Sequence, residues 1–143
     1  VIAKLSWDLF TPVPAQTLLE LLPEKGLTFT FSGPLDGSLI EKARGHFFRV
    51  RLHGQNNLLY ALPGKITFSS RTPNVITWTC TLSADVLAKY INFDQETSLR
   101  IDLLADCLRG SENLPVSGSI GPLLGLPGPY MPGGILACWM MIA

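Results

Sequence analysis

Five stretches of this chain alternate apolar and polar residues with a period of two, and nothing else in the sequence constrains the fold as tightly. Leu27, Phe29 and Phe31 interleave with Thr28, Thr30 and Ser32. Phe48, Val50 and Leu52 interleave with Arg49, Arg51 and His53. Ile66 and Phe68 flank Thr67. Ile76, Trp78, Cys80 and Leu82 interleave with Thr77, Thr79 and Thr81, and Leu99, Ile101 and Leu103 with Arg100 and Asp102. Successive side chains of a strand point to opposite faces, so each stretch predicts a strand with one dry and one wet face. One-sided strands favour antiparallel pairing.

Turn chemistry separates the runs: Ser32-Gly33-Pro34, Asp36-Gly37, Gly54-Gln55-Asn56-Asn57, Pro63-Gly64, Thr72-Pro73-Asn74 and Leu108-Arg109-Gly110. Short strands evenly spaced by such turns predict an all-β sandwich or barrel. Residues 15–22 fit a short helix started by Pro14, with Leu18, Leu19 and Leu22 on one side, or a strand ending at Pro23. Residues 83–90 fit a helical turn capped by Ser83, with Val86, Leu87 and Tyr90 facing inward. The proline- and glycine-rich stretch 114–134 predicts a strand at 116–120 followed by a long loop through Pro127, Pro129 and Pro132. Ile135 to Ile142 is a continuous apolar run, which suits a strand buried on both faces or one covered by a neighbouring subunit.

At 143 residues the chain has the length of one ordinary domain, and 1–143 is expected to form a single one. Only 15% of its residues are charged, against about 25% in typical domains. So little charge points to a surface partly covered by other chains, because interface cores are depleted in charge. Eleven basic residues balance eleven acidic ones, leaving no net field to draw in nucleic acid or an anionic membrane. Arg44, Arg49 and Arg51, with His46 and His53 nearby, form the one local basic grouping and read as a solvated strand face. The longest apolar stretch falls far short of the ~20 residues that cross a bilayer as a helix. The cysteines Cys80, Cys107 and Cys138 are odd in number with no CxxC pair. Buried free thiols in a reducing compartment fit them better than a disulfide framework, and one bridge plus a free thiol stays open.

The catalytic patterns fail one by one. Gly64-Lys65 resembles the end of a phosphate loop, but Leu59 stands where its first glycine belongs and Ile66 follows the lysine. The run Ser117-Gly118-Ser119-Ile120-Gly121 lacks the first glycine of a nucleophile elbow, and no aspartate–histidine context supports Ser119. His46 and His53 fall seven apart on opposite faces of one predicted strand, roughly 23 Å along it, and cannot share a metal there. The carboxylate pairs Asp94 with Glu96 and Asp102 with Asp106 read as surface groups, Asp102 on the wet face of its strand. Trp78 falls on the apolar side and Trp139 inside the terminal apolar run, so both read as packing residues, while Trp7 has no assigned role. No catalytic, cofactor-binding or metal-ligating residue is assigned.

The order of these features resembles the jelly-roll coat proteins of picorna-like viruses, the plant-infecting ones above all. Arg44-Gly45 leads into the run 47–52, followed by a polar tip at 54–57 and then Gly64-Lys65-Ile66-Thr67-Phe68-Ser69-Ser70 and Pro73, which resembles that family's central hairpin. Residues 75–82 and 85–93 resemble the next strand and its loop, and 114–124 with 134–142 resemble the last two strands. The similarity covers about two thirds of the chain, from Arg44 onward, and rests on loose patterns. The chain is short for such a domain and lacks a basic arm for packaging RNA; it begins at Val1, which fits a processed product or the ordered part of a longer coat polypeptide. The resemblance implies an antiparallel jelly-roll sandwich of about eight strands with one or two short helices. It also implies a structural, non-enzymatic role in the virion, with assembly in the host cytoplasm. The partners implied are copies of the chain or sibling subunits, with weak, sequence-independent contact to genomic RNA, no cofactor and no membrane. A non-viral β-sandwich binding an apolar ligand or a partner segment is the alternative reading of the same residues.

Overall fold

A computed structural model describes residues 2–6, 12–43, 47–53, 59–89, 97–104, 108–110 and 135–142. Among them lie eight strands: β1 (Ile2–Leu5), β2 (Leu27–Phe31), β3 (Phe48–His53), β4 (Leu59–Ala61), β5 (Gly64–Phe68), β6 (Val75–Cys80), β7 (Thr97–Leu104) and β8 (Ile135–Ile142). Three short helices join them: α1 (Ala15–Glu20), α2 (Gly37–Ala43) and α3 (Ala84–Ala88). All six described strand pairings are antiparallel. The all-β expectation therefore holds, with two four-stranded sheets in place of a single barrel wall.

The first sheet runs β1-β2-β6-β5 and the second β4-β3-β7-β8. Four of the seven successive strand pairs therefore lie side by side, and β2/β3, β4/β5 and β6/β7 cross between the sheets. A jelly roll sends most consecutive strands to opposite sheets, so the described strands do not follow the order that the coat-protein resemblance implies. Among the described strands, the order within each sheet is that of the A-B-E-D and C′-C-F-G sheets of an immunoglobulin-type arrangement. Phe29 on β2 and Ile101 on β7, the B and F strands of that arrangement, lie in the core, and neither strand carries a cysteine. The apolar pattern decides which face of a strand is buried, and it leaves the choice of neighbour open. The expected strand at 116–120 and the loop through Pro132 lie outside the described residues.

The alternation fixes the core. Leu27, Phe29 and Phe31 of β2 and Ile76, Trp78 and Cys80 of β6 face Phe48, Val50 and Leu52 of β3 and Leu99, Ile101 and Leu103 of β7, and all of them are buried. Rings connect the layers. Phe29 meets Phe48 edge-on with centroids 4.9 Å apart at 82°, and Phe48 lies 6.0 Å from Trp78.

Helix α1 starts after Pro14 and buries Ala15, Leu18 and Leu19, as the helical alternative for 15–22 expects. Pro23 has no N–H to give Leu19, so the coil widens into a π-turn over Leu21–Lys25. That turn closes where Gly26 donates its N–H to the Leu21 carbonyl at 2.7 Å. Gly26 sits at φ 71°, and a Cβ there would collide with the Trp78 carbonyl, so two independent constraints demand glycine. Helix α3 is capped by Ser83, whose hydroxyl accepts the Val86 N–H, and it buries Leu87. Tyr90, the third residue expected to face inward, lies outside the described residues.

Candidate functional site

Three features of the described residues rise above ordinary packing. The first is a carboxylate on the outer face of the second sheet. Register places Asp102 beside Arg49 and diagonal to Arg51, while Arg100 stands two residues away on the same strand and face. Arg51 reaches across to Asp102 at 2.5 Å, and Arg100 Nε holds the other carboxylate oxygen at 3.1 Å. The arginines fold over the acid, leaving its side chain 6% exposed against 27% and 35% for their own. The reading of Asp102 as a solvated surface group is therefore corrected: it stands on the polar side of its strand, but its partners take it out of water. Arg51 Nε is buried without a hydrogen bond. A carboxylate shielded from water and held by a guanidinium at each oxygen is poorly placed to meet a substrate, so the cluster suits a structural role.

The second feature is the outer face of the first sheet. Thr28 and Thr30 of β2, Thr77 and Thr79 of β6 and Thr67 of β5 stand on it. Thr28 and Thr77 share a hydroxyl hydrogen bond of 3.0 Å across the central strand pair. Lys4 on β1 and Lys65 on β5 mark its two edges, and the described strands place no carboxylate on it. Val75 of β6 joins the threonines opposite Thr30, and the result is a broad, threonine-rich face whose middle is free of charge.

The third feature is a cavity of about 220 Å³ on the side where β4 and β5 form the edges of their sheets. Phe48, Val50, Leu62, Ile66 and Trp78 supply its apolar wall, and Gly64, Ala61, Arg49 and Arg51 complete the lining. Its origin is local. Leu62 still donates its N–H to the Val50 carbonyl at 2.9 Å, but Pro63 has no N–H and the chain crosses to the other sheet as β5. Gly64 is needed there, because a Cβ would run into the indole of Trp78.

The remaining sequence candidates disperse. Gly64-Lys65 begins an extended strand and forms no phosphate loop. His53 ends β3, while Arg44 and His46 lie outside the described residues, as do Asp94, Glu96, Asp106 and Ser119. Trp78 is a core residue, 4% exposed, as its position in the alternation predicts. Trp7 is outside the description, and Trp139 is placed only by register, opposite Arg100. Cys80 is a buried free thiol; burial pushes its pKa up, partly offset by a backbone hydrogen bond at Leu82. Among the described residues no cluster of three His, Cys, Asp or Glu could hold a metal, and no helix is long and apolar enough to cross a membrane. Sequence reasoning missed the Asp102 cluster and the cavity, because both arise from strand neighbours and not from spacing along the chain. In comparisons with known proteins, no family model, no curated protein and no solved structure matches this chain.

Proposed function

We propose that the chain works by contact rather than by chemistry, as a structural subunit in the wall of an icosahedral viral shell around an RNA genome. The observation that carries this reading is the charge-free threonine face of the first sheet, with lysines only at its edges. Interfaces between subunits are depleted in charge at their centre and polar at their rim, and closed shells reuse one such contact by symmetry. The coat-protein resemblance of the chain from Arg44 onward adds to it. The jelly-roll order does not, so the proposal rests on surface chemistry and not on topology. Copies of the chain or sibling subunits would meet the threonine face. RNA would meet the opposite side, where Arg49, Arg51 and Arg100 outnumber the single carboxylate Asp102 on β3 and β7.

Electron microscopy and sedimentation of the protein from its native source test the proposal. Uniform shells with this chain in their wall are expected. A protein that stays monomeric under every assembly condition, from a source whose particles contain none of it, overturns it.

A second reading, a β-rich binding module outside any virus, is favoured by the cavity between the sheet margins and by the immunoglobulin-type strand order. Discrete monomers or dimers with an apolar guest against Trp78 would support that reading instead.

A further inference from the structure

Among the described residues, the β4–β5 side of the molecule is open in its main chain as well as in its side chains. Residues along a strand turn their N–H and C=O alternately to one neighbour and the other. Leu62 donates to the Val50 carbonyl, so Val50 and Phe48 both direct their backbone groups toward β4. The β3–β4 register runs only from Arg51 to His53, which leaves Phe48 without a strand partner on that edge. Across the cavity, Thr81 donates to the Pro63 carbonyl at 3.0 Å. Lys65 and Thr67 then turn their backbone groups inward to Thr79 and Thr77 of β6, while Gly64, Ile66 and Phe68 turn theirs outward. The Phe68 ring packs on Gly37 at the start of α2, so that end of β5 is shielded. Gly64 and Ile66 are left with outward-facing backbone groups beside the cavity, and Ile66 also lines it.

The geometry points to β5 as an acceptor edge for an extended segment of another protein chain, added antiparallel. Chain extension of this kind satisfies the outward-facing main-chain groups that no described strand pairs, and uses pockets for alternate side chains. Directly opposed residues of an antiparallel pair place their side chains on the same face. The guest residue opposite Ile66 therefore points into the space between the sheets, against Trp78, Phe48 and Leu62. A cavity of about 220 Å³ exceeds the ~150 Å³ that accommodates benzene in an apolar core, so a leucine or phenylalanine side chain fits. The next residue of the guest lies opposite Lys65 on the outer face. Lys65 is a cation on a face where the described strands carry no carboxylate, so an acidic residue complements that position. The recognised pattern is an extended segment with a large apolar residue followed directly by Asp or Glu. In a shell the donor is a neighbouring subunit, and to that extent the inference rests on the structural reading above.

Amide hydrogen exchange on the full chain tests it, with a capped eight-residue peptide of alternating threonine and valine carrying one central Leu-Glu pair. The Gly64 and Ile66 amides are expected to exchange rapidly alone and at least about tenfold more slowly with peptide in excess, while Lys65 and Thr67 are protected throughout. A peptide with lysine for glutamate should bind more weakly, and Lys65→Glu should reverse that preference while circular dichroism shows the fold intact. Absence of added protection at millimolar peptide, or protection indifferent to the Leu-Glu order, overturns the inference. Assembled shells in which Gly64 and Ile66 still exchange freely would refute the edge contact while leaving the structural role standing; a peptide-binding monomer would do the reverse.

Discussion

Replacing Asp102 with alanine should destabilise the chain far more than the loss of a surface acid. The substitution removes two charge-assisted hydrogen bonds, from Arg51 and from Arg100. It strands the Arg51 guanidinium, whose Nε is already buried and unbonded. Breaking a fully buried ion pair costs about 3–5 kcal/mol. Here the arginine side chains keep 27% and 35% exposure and can turn partly to water, which lowers the expected cost to roughly 2–3 kcal/mol. With a urea slope of about 1–3 kcal/mol per molar, the unfolding midpoint should fall by roughly 0.7–3 M. The double variant Asp102→Leu with Arg51→Met removes both charges and should recover most of that loss, because a buried ion pair is close in stability to its apolar replacement. A midpoint shift below about 0.3 M for Asp102→Ala would mean that the acid is solvated, as its strand position alone suggests. A double variant no better than the single one would refute the stranded-charge argument.

Four further outcomes are expected. Trp78→Ala should cost about 3–5 kcal/mol in denaturant unfolding, because the ring is 4% exposed and fills the space beside Gly64 and Phe48. A double-mutant cycle on Phe29 and Phe48, each changed to leucine, should return about 0.5–1.5 kcal/mol of coupling from their edge-on contact. Ser83→Ala should lower stability by no more than about 1 kcal/mol by thermal melting, since the cap is exposed and its bond is long at 3.4 Å. The Cys80 thiol has a raised pKa in the fold, so the native state holds its proton where the unfolded chain loses it. Its contribution is complete below the ordinary thiol range near pH 8.5 and is lost as pH rises from that range through the higher pKa of the folded thiol; Cys80→Val should flatten that decline in a pH series of melts.

The strands were legible because each buries one face, and period two records that directly in residues such as Phe29, Val50 and Ile101. The short helix after Pro14 and the Ser83 cap were legible for equally local reasons. Helix α2 was hidden because Asp36-Gly37 reads as a turn. Its carboxylate in fact takes both the N–H and the hydroxyl of Ser38, which starts the helix at once. Strands β1 and β4 have four and three residues, too few for a pattern to register. Strand order was not legible, because alternation assigns faces and not neighbours. The Asp102 cluster, the threonine face and the cavity all depend on that order. Thr28 meets Thr77, and Arg51 meets both Arg100 and Asp102, only once β2 lies beside β6 and β3 beside β7.

The crossing at Leu62-Pro63 also bears on how the chain reaches this arrangement. It links two hairpins, β3–β4 and β5–β6, that close locally and then part into different sheets. Each sheet is completed by a central pairing between distant segments: Thr28 with Thr77 in one and Arg51 with Arg100 in the other, each 49 residues apart. Loop closure must be met before such pairings reward it, and non-local pairing slows folding. Local closure therefore predicts that the two hairpins form before the sheets are completed, with their capture by β2 and β7 as the slow event. Until that event Phe48 and Trp78 stand on hairpins that do not yet share a core, so burial of the Trp78 indole, read by fluorescence with Trp7 and Trp139 replaced by phenylalanine, times the joining of the two sheets.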